Sequence, residues 1–428
     1  MNMKGQKNLL LVAIISLTST VAAHAGHSTS SKAYPAVNIS TSATVGIIIA
    51  LLFVFGVLVL LTSPNQDLPK LTLGLIALAL LAGLTGIFFD TGSEEQKIKE
   101  TYGPSRSPLH MQGFYEGFEP AKHRHAKDIV RNPGKVPEPI ERNSSKAVEI
   151  LLEAQERVSH LTENSTYYYW TYNGTVPGPI LRVQEGDTVK LTLKNEEIST
   201  HNHSIDLHAV NGPGGGAKVL EVSPGENKTA KFKALNSGFY VYHCGTSNVP
   251  THIANGMYGG IIVEPREGLP EVDKRFTVFQ GEVYTQQPMG AEGFQAFSPE
   301  KLLNEEPTYY TFNGRPHGVT GEEKLKAEVN DTVRIFFGNM GNSKISSFHA
   351  IGEQFKRVWP HGSLATRPQG PGVQTVPVAA GSSAVVDLQL ENPGKYTIVD
   401  HALARLDRGA WGVLEVSGEK NPDVYAAK

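Results

Sequence analysis

The sequence predicts a mostly β protein, with two tandem Greek-key β-sandwich domains preceded by an N-terminal transmembrane helical hairpin. Three observations support this prediction. Two apolar runs near the N-terminus, 43–62 and 71–89, contain no charged residue. The rest of the chain is rich in turn-forming residues, since the 428 residues include 43 Gly and 26 Pro. Two stretches of that remainder carry the same motifs in the same order.

The N-terminal segment is predicted to direct the chain to the cell membrane. An apolar run that follows two lysines ends on a small-x-small cleavage pattern, so 1–25 is predicted to be a signal peptide or an uncleaved first span. The runs 43–62 and 71–89 are each long enough to cross a hydrocarbon core of about 30 Å. A hairpin keeps both of its ends on one side, so we expect the body on the exported, periplasmic side. The segment 90–126 shows no sustained period and is predicted to be a tether.

The body after the tether is a tandem repeat. Each copy has an Asn-Gly pair, an Asp-Thr-Val strand start, a Gly-x-Tyr strand and a closing strand of small residues. These motifs lie at 173–174, 187–189, 238–240 and 256–263 in the first copy, and at 313–314, 331–333, 394–396 and 409–416 in the second. Short strands rich in Val, Ile, Thr and Tyr between frequent turns are typical of a β-sandwich. We therefore predict domains at 127–268 and 269–428.

The composition excludes several classes of protein. Charged residues make up 19% of the chain and the formal net charge is −3, so the basic excess expected of a nucleic-acid-binding protein is missing. Cys244 is the single cysteine, which rules out an intramolecular disulfide, a zinc ribbon or an iron–sulfur cluster. With 15 histidines beside it, any metal chemistry must use imidazoles and one thiolate.

The first copy carries a metal-ligand pattern around that cysteine. His252 and Met257 follow Cys244 closely, and the segment from His203 to His208 supplies a further imidazole. Two histidines, a thiolate and a thioether on a β-sandwich are the ligands of a blue-copper electron-transfer site with a weak axial methionine. The second copy has lost this pattern, since by hand alignment Asp400 stands in place of Cys244 and Ala410 in place of Met257.

Strand parity predicts a second metal site. Adjacent residues on a strand point to opposite faces, so if Cys244 points inward, His243 points outward. His203 and His208 are an odd number of residues apart and also oppose each other. If His203 joins Cys244 inside, then His208, His243 and Asp206 share the outer face. Two imidazoles and a carboxylate suit Cu(II) with an exchangeable position, although Zn(II) would also accept them.

These residues resemble the copper-containing nitrite reductases, over about 129–418. The shared motifs are Asn-Gly-Thr-Val-Pro-Gly-Pro (173–179), His-Ser-Ile-Asp-Leu-His (203–208), Gly-Gly-Gly-Ala (214–217), His-Cys with Val-Pro-Thr-His and Asn-Gly-Met (243–257), and His-Ala-Ile-Gly (349–352). Two departures bear on hydrogen bonding around the ligands. Asp400 precedes His401 where many relatives have Asn, and the strand after His349 lacks the second His that many carry.

The resemblance implies a homotrimeric enzyme with two cupredoxin domains and two coppers per subunit, which reduces nitrite to nitric oxide and water. The implied type 1 copper ligands are His203, Cys244, His252 and Met257. The implied type 2 copper ligands are His208 and His243 of one subunit together with His401 of its neighbour. The implied catalytic residues are Asp206 and His349 as the acid–base pair, and Ile351, which limits how nitrite binds.

Two other functions are compatible with parts of this pattern. A multicopper oxidase would need paired His-x-His motifs and a His-Cys-His, but residue 245 is Gly and the second copy has no His-x-His. A non-catalytic electron carrier would leave His208, His243 and His401 without a purpose. For the electron donor we expect a cytochrome c or a small cupredoxin, with quinol as the alternative. Neither predicted span carries an ionisable residue that could take the proton of a quinol, which favours plain anchoring.

Overall fold

The computed structural model describes residues 124–126 and 128–426. The predicted signal peptide, both predicted spans and most of the predicted tether lie outside these residues. Within them, no helix has the length and apolar character needed to span a membrane.

Strands are far more numerous than helices in the described body, which confirms the prediction of a mostly β protein. The strands are β1 (Ala147–Thr162), β2 (Ser165–Tyr172), β3 (Ile180–Gln184), β4 (Thr188–Asn195), β5 (Asp206–Leu207), β6 (Asn227–Lys233), β7 (Gly238–His243), β8 (Tyr258–Glu264), β9 (Lys274–Val283), β10 (Gly293–Gln295), β11 (Tyr309–Phe312), β12 (Leu325–Glu328), β13 (Thr332–Asn339), β14 (Ser346–Ala350), β15 (Phe355–Trp359), β16 (Thr375–Val378), β17 (Ser382–Gln389), β18 (Gly394–Asp400) and β19 (Trp411–Ser417). The short helices are α1 (Val249–Ala254) and α2 (Pro299–Leu303).

The strands form four sheets, arranged as two pairs that follow the same order. The first pair is β10-β2-β1-β4-β6 with β3-β8-β7-β5, and the second is β11-β9-β13-β17-β15 with β12-β19-β18-β14-β16. The two pairs correspond strand by strand. The first-pair order β2-β1-β4-β6 matches β11-β9-β13-β17 of the second pair, and β3-β8-β7-β5 matches β12-β19-β18-β14. In both pairs the second and third of these strands run parallel, β1 with β4 and β9 with β13. The repeat in sequence is therefore a repeat in topology.

Local sequence explains the strands and the turns that the copies share. In β4 the residues Val189, Leu191 and Leu193 are buried while the lysines between and after them are exposed, as expected of a half-buried strand. The two Asn-Gly pairs close tight turns at the ends of β2 and β11, where all four residues have positive φ. A two-residue hairpin of this type requires left-handed backbone, which Asn and Gly accept most readily.

The two sheet pairs share a packed boundary. The Phe239 ring of β7 lies edge-on against Phe336 and Phe279, with centroids 5.2 and 5.9 Å apart. β8 ends at Glu264 and β9 begins at Lys274, so the predicted boundary between 268 and 269 falls in the connecting segment. One strand crosses this boundary, because β10 pairs in parallel with β2 of the first sheet pair.

The end of the predicted tether is part of the first sheet pair. Ala126 N donates to Val158 O and Val158 N donates to Arg124 O, each over 2.9 Å. Residues 124–126 therefore continue β1's hydrogen bonding as a short parallel bridge.

Candidate metal centres

A buried group of three side chains lies at one end of the first sheet pair. His203 precedes β5, Cys244 follows β7 directly, and His252 lies on α1. All three are buried, and their ligand atoms lie within 4.8 Å of one another. His252 Nδ1 lies 3.3 Å from both His203 Nδ1 and Cys244 Sγ. Three soft and borderline donors therefore converge on one point, which fits the ligand set of a blue-copper site.

Backbone hydrogen bonds tie Met257 to this group. Cys244 N donates to Met257 O over 3.0 Å, and Met257 N donates to His252 O over 3.1 Å. Met257 is fully buried and immediately precedes β8. Gly256 lets the chain just before Met257 pass close to Val176. It has φ +113, and a Cβ there would lie 2.7 Å from Val176 Cγ2.

The surroundings shift the pKa values of His252 and Cys244 toward the forms that bind a metal. Burial lowers the pKa of His252 to about 4, so its imidazole is neutral at neutral pH. Burial alone would raise the pKa of the Cys244 thiol, but hydrogen bonds from His203 and the Ser204 N–H outweigh it and lower that pKa. A transition metal binds the deprotonated thiol and the neutral imidazole, so both of these shifts favour metal binding.

Glu156 of β1 holds His203 from behind, and sequence reasoning missed it. Its buried Oε1 accepts from His203 Nε2 and His201 Nδ1, each at 3.0 Å. Its Oε2 accepts from Thr200 N at 2.9 Å and from the Tyr168 hydroxyl. Burial opposes the charge, but the bonds from His201 and His203 outweigh it and hold the pKa of Glu156 well below its usual range. Because His203 donates through Nε2, its Nδ1 is directed toward the buried group.

A second pair of imidazoles lies on the outer face. β5 and β7 pair with Asp206 opposite His243, and the Nε2 atoms of His208 and His243 are 3.1 Å apart. His243 Nδ1 donates to Cys244 O over 3.0 Å, so its Nε2 is the metal-facing nitrogen. Burial and the neighbouring His243 lower the pKa of His208, while Asp206 opposes them. Two imidazoles with converging nitrogens fit a metal whose remaining positions are filled from elsewhere.

The triple-glycine turn gives Asp206 its room. Gly215 has φ +54, and a Cβ at this position would run into Asp206 Oδ1 and lie 2.8 Å from its Cγ. The Asp206 carboxylate therefore occupies the space that a side chain at 215 would fill. The second glycine of the Gly-Gly-Gly-Ala motif (214–217) is thus required by the position of Asp206.

His349 and His401 form a third pair, in the second sheet pair. His349 lies on β14 and His401 follows β18, with ring centroids 5.3 Å apart. His349 Nδ1 donates to Gln374 O over 2.6 Å, so Nε2 is the nitrogen left to exchange a proton. Ile351 is 45% exposed and lines a cavity of about 930 Å³.

Within one chain, His401 does not join the His208–His243 pair. Over the part of the chain that the structure describes, the buried group is the one set of three His, Cys, Asp or Glu side chains with ligand atoms that close together. The sequence-predicted site residues thus fall into three places, namely the buried group, the outer pair and the His349–His401 pair.

Comparisons with known proteins agree with these features. A sequence model described as multicopper oxidase matches residues 153–268. A copper-containing nitrite reductase of Neisseria meningitidis is 43% identical over 301 residues, covering 70% of this chain and 77% of that protein. The solved copper nitrite reductase of Nitrosomonas europaea has a TM-score of 0.56 and 32% identity, covering 65% of this chain and 96% of its own. A solved multicopper oxidase has a TM-score of 0.54 and 27% identity, covering 70% of this chain and 98% of its own.

Fold and site together define a copper protein with cupredoxin-type sheets. Within that class, the identity to relatives over more than two thirds of their length places the chain more narrowly. It belongs to the family of copper-containing nitrite reductases.

Proposed function

We propose that this chain is a dissimilatory nitrite reductase that converts nitrite to nitric oxide and water. One observation carries the proposal. The neighbouring residues His243 and Cys244 belong to different sites, one facing the outer His208 and the other facing the buried His203 and His252. A single peptide bond therefore joins a site suited to electron transfer with a site suited to binding a small ligand.

The ligand sets imply two coppers per subunit. Type 1 copper would be held by His203, Cys244, His252 and Met257, and type 2 copper by His208 and His243 with the partner subunit's His401. Copper held there would supply one-electron transfer at the buried group and Lewis-acid binding of nitrite at the outer pair. The Cys244–His243 peptide provides the covalent path between the two sites.

Proton delivery falls to Asp206 and His349. Reducing nitrite to nitric oxide and water consumes one electron and two protons. Asp206 lies beside the outer imidazoles in the space opened by Gly215, and His349 keeps Nε2 for proton exchange. Both residue types serve as general acids near neutral pH. The exposed Ile351 side chain, two residues after His349, limits the orientation of bound nitrite.

The assembly proposed is a homotrimer. The outer pair of one chain contains two imidazoles, and His401 is held by a different sheet pair beside His349. In a ring of subunits, each outer pair would meet the partner subunit's His401. The same subunit contact would then complete every type 2 copper site. Such a head-to-tail contact closes into a ring when its rotation allows.

The multicopper oxidase alternative has a family model and a fold likeness in its favour, but this chain's geometry opposes it. Such an enzyme would require a His at position 245. A Cβ on Gly245 would lie 2.5 Å from Ala217 Cβ and 3.3 Å from Asp206 Cβ. The position therefore has no space for an imidazole.

Counting copper tests the proposal against the electron carrier. The nitrite reductase should bind two coppers per subunit. The substitution Cys244→Ala should remove the intense visible absorption of the buried copper and leave the outer copper in place. The thiolate is the source of that band, and no proposed ligand of the outer site is altered. One copper per subunit in the unaltered protein, or a blue colour that survives the substitution, would contradict the assignment.

The membrane part of the proposal depends on sequence alone. We propose that the runs 43–62 and 71–89 anchor the trimer with its catalytic body in the periplasm. A cytochrome c or a small cupredoxin would then deliver electrons to the buried site. If quinol were the donor instead, full-length protein in lipid would form nitric oxide from a reduced quinol analogue and nitrite, whereas a body cut before Asp90 would not.

A further inference from the structure

Asp400 is a fully buried carboxylate at the end of β18. In the tandem repeat it stands where the first domain has Cys244. Its four contacts come from four different residues, two of them backbone amides and two of them side chains. Its Oδ1 accepts from Ser347 N at 3.0 Å and Ala402 N at 3.1 Å. Its Oδ2 accepts from Gln280 Nε2 at 2.9 Å and Arg405 Nη1 at 2.6 Å.

The two backbone contacts bracket His401. Ala402 is the residue after His401, and Ser347 O accepts from His401 N over 2.8 Å. Asp400 Oδ1 therefore accepts from the backbone amide just after His401. It also accepts from the amide of Ser347, whose carbonyl accepts from His401 N. Since Ser347 lies two residues before His349 on β14, one carboxylate sets the relative position of both histidines.

The two side-chain contacts fix the carboxylate in turn. Arg405 lies in the short 3-10 turn that follows His401, and its Nη1 also donates to Ile345 O over 2.7 Å. Gln280 of β9 reaches across from the facing sheet, and its Oε1 accepts from the Ser346 hydroxyl over 2.7 Å. All acceptor sites of Asp400 are thus filled by donors, which is the arrangement that a buried carboxylate requires.

We propose that Asp400 is the positioning residue for His401, and that its ion pair with Arg405 sets how tightly the type 2 site binds copper. The inference rests on the proposed function, because it takes His401 as a copper ligand. Asp400 itself is proposed to touch neither copper nor nitrite. It acts by holding the backbone from which His401 projects.

The chemistry of the contacts shows why an amide would not serve with Arg405 present. In Asp400→Asn the carbonyl oxygen can replace only one carboxylate oxygen, and the NH₂ group then faces donors. Gln280 can adapt by turning its amide over, since the Ser346 hydroxyl can accept as well as donate. Arg405 has no acceptor and cannot adapt. If the introduced carbonyl oxygen stays at the two backbone amides, the conflict is therefore between the new NH₂ group and the Arg405 guanidinium.

The test is a copper titration of the full-length protein from a buffered copper source. Electron paramagnetic resonance reports type 2 occupancy, and visible absorption reports type 1 occupancy in the same sample. We expect Asp400→Asn to weaken type 2 copper binding by about 10–100-fold, the usual effect of losing a residue that orients a ligand. The type 1 band should be unchanged, which also shows that the variant has folded.

Two further variants make the result specific. Arg405→Gln combined with Asp400→Asn should restore most of the affinity, because a glutamine carbonyl can accept from the amide introduced at position 400. Asp407→Asn, which alters an exposed carboxylate in the same loop, should bind both coppers as the unaltered protein does.

Each outcome decides the matter. If Asp400→Asn binds type 2 copper normally, or if the double variant is no better than Asp400→Asn alone, the positioning role is wrong while the proposed function stands. If the unaltered protein binds no type 2 copper at all, the proposed function and this inference fall together.

Discussion

At the scale of single residues, Asp206 is the side chain whose proposed role is most open to a direct test. Asp206→Asn keeps the shape of the side chain but removes its exchangeable proton. We expect nitrite turnover to fall by about 10²–10⁴-fold, the usual contribution of general acid–base catalysis. Both coppers should remain, because Asp206 is not a proposed ligand.

The control for this substitution is Asp423→Asn, which alters an exposed carboxylate outside every proposed site. It should leave turnover unchanged. Steady-state kinetics with copper content measured on the same samples separates the two effects. Normal turnover in Asp206→Asn would mean that its carboxylate supports the site without moving a proton.

The structure has the histidine pairs that strand parity gives when His203 is taken to lie with Cys244. His203 lies near Cys244, and His208 lies near His243. Parity was only a guide here, because His203 and His208 both fall outside the two-residue strand β5.

Glu156 and the Asp400–Arg405 pair were beyond that reasoning, because their partners come from other strands and loops. One signal was present. Glu156 lies between Ala154 and Val158 on the same face of β1, and both of these neighbours are fully buried. An acidic residue on a buried face needs partners, but the sequence does not say which they are.

At the scale of elements, the tight connection between α1 and β8 holds His252 and Met257 together. Gly256→Ala would combine a positive φ with a contact of 2.7 Å to Val176 Cγ2 and 3.1 Å to Trp170 O. We expect overpacking to cost about 1–3 kcal/mol beyond the backbone strain. Thermal unfolding should therefore occur at a lower temperature, and the type 1 absorption should weaken or shift.

A matched glycine separates strain from packing. Gly290 has φ +86, but a Cβ there would meet no atom within 4 Å. Gly290→Ala should cost only the strain of left-handed backbone, about 1–2 kcal/mol, and leave the absorption unaltered. Equal effects on both stability and absorption in the two variants would show that the packing around Gly256 does not shape the site.

The sequence predicted the two repeated domains but not the short segments that pair through tertiary packing. The repeated Asn-Gly turns and alternating strands predicted two β domains, and both sheet pairs have matching strand orders. β10 was not predicted, because three residues carry no periodicity and their pairing with β2 depends on the packing of the two halves. The segment 124–126 was assigned to the tether for the same reason, although it bonds to β1.

At the scale of the whole molecule, the proposal requires each type 2 site to combine two subunits. Subunits with His208→Gln and subunits with His401→Gln should each lack type 2 copper when expressed alone. When both are expressed in the same cells, mixed trimers regain sites that join an intact outer pair to an intact His401. Random mixing should restore about one quarter of the sites, measured as type 2 copper and as turnover. No recovery would mean that His401 does not act across a subunit contact.

The central claim is that the two sites of one chain pass an electron to nitrite. The measurement that tests it most directly is nitric oxide formation from nitrite by the copper-loaded, full-length protein, with an artificial reductant as electron source. We predict steady nitric oxide formation that requires both coppers, and its loss in Cys244→Ala even though the outer copper is still bound. A protein that holds both coppers and is reduced normally, yet forms no nitric oxide from nitrite, would contradict the claim.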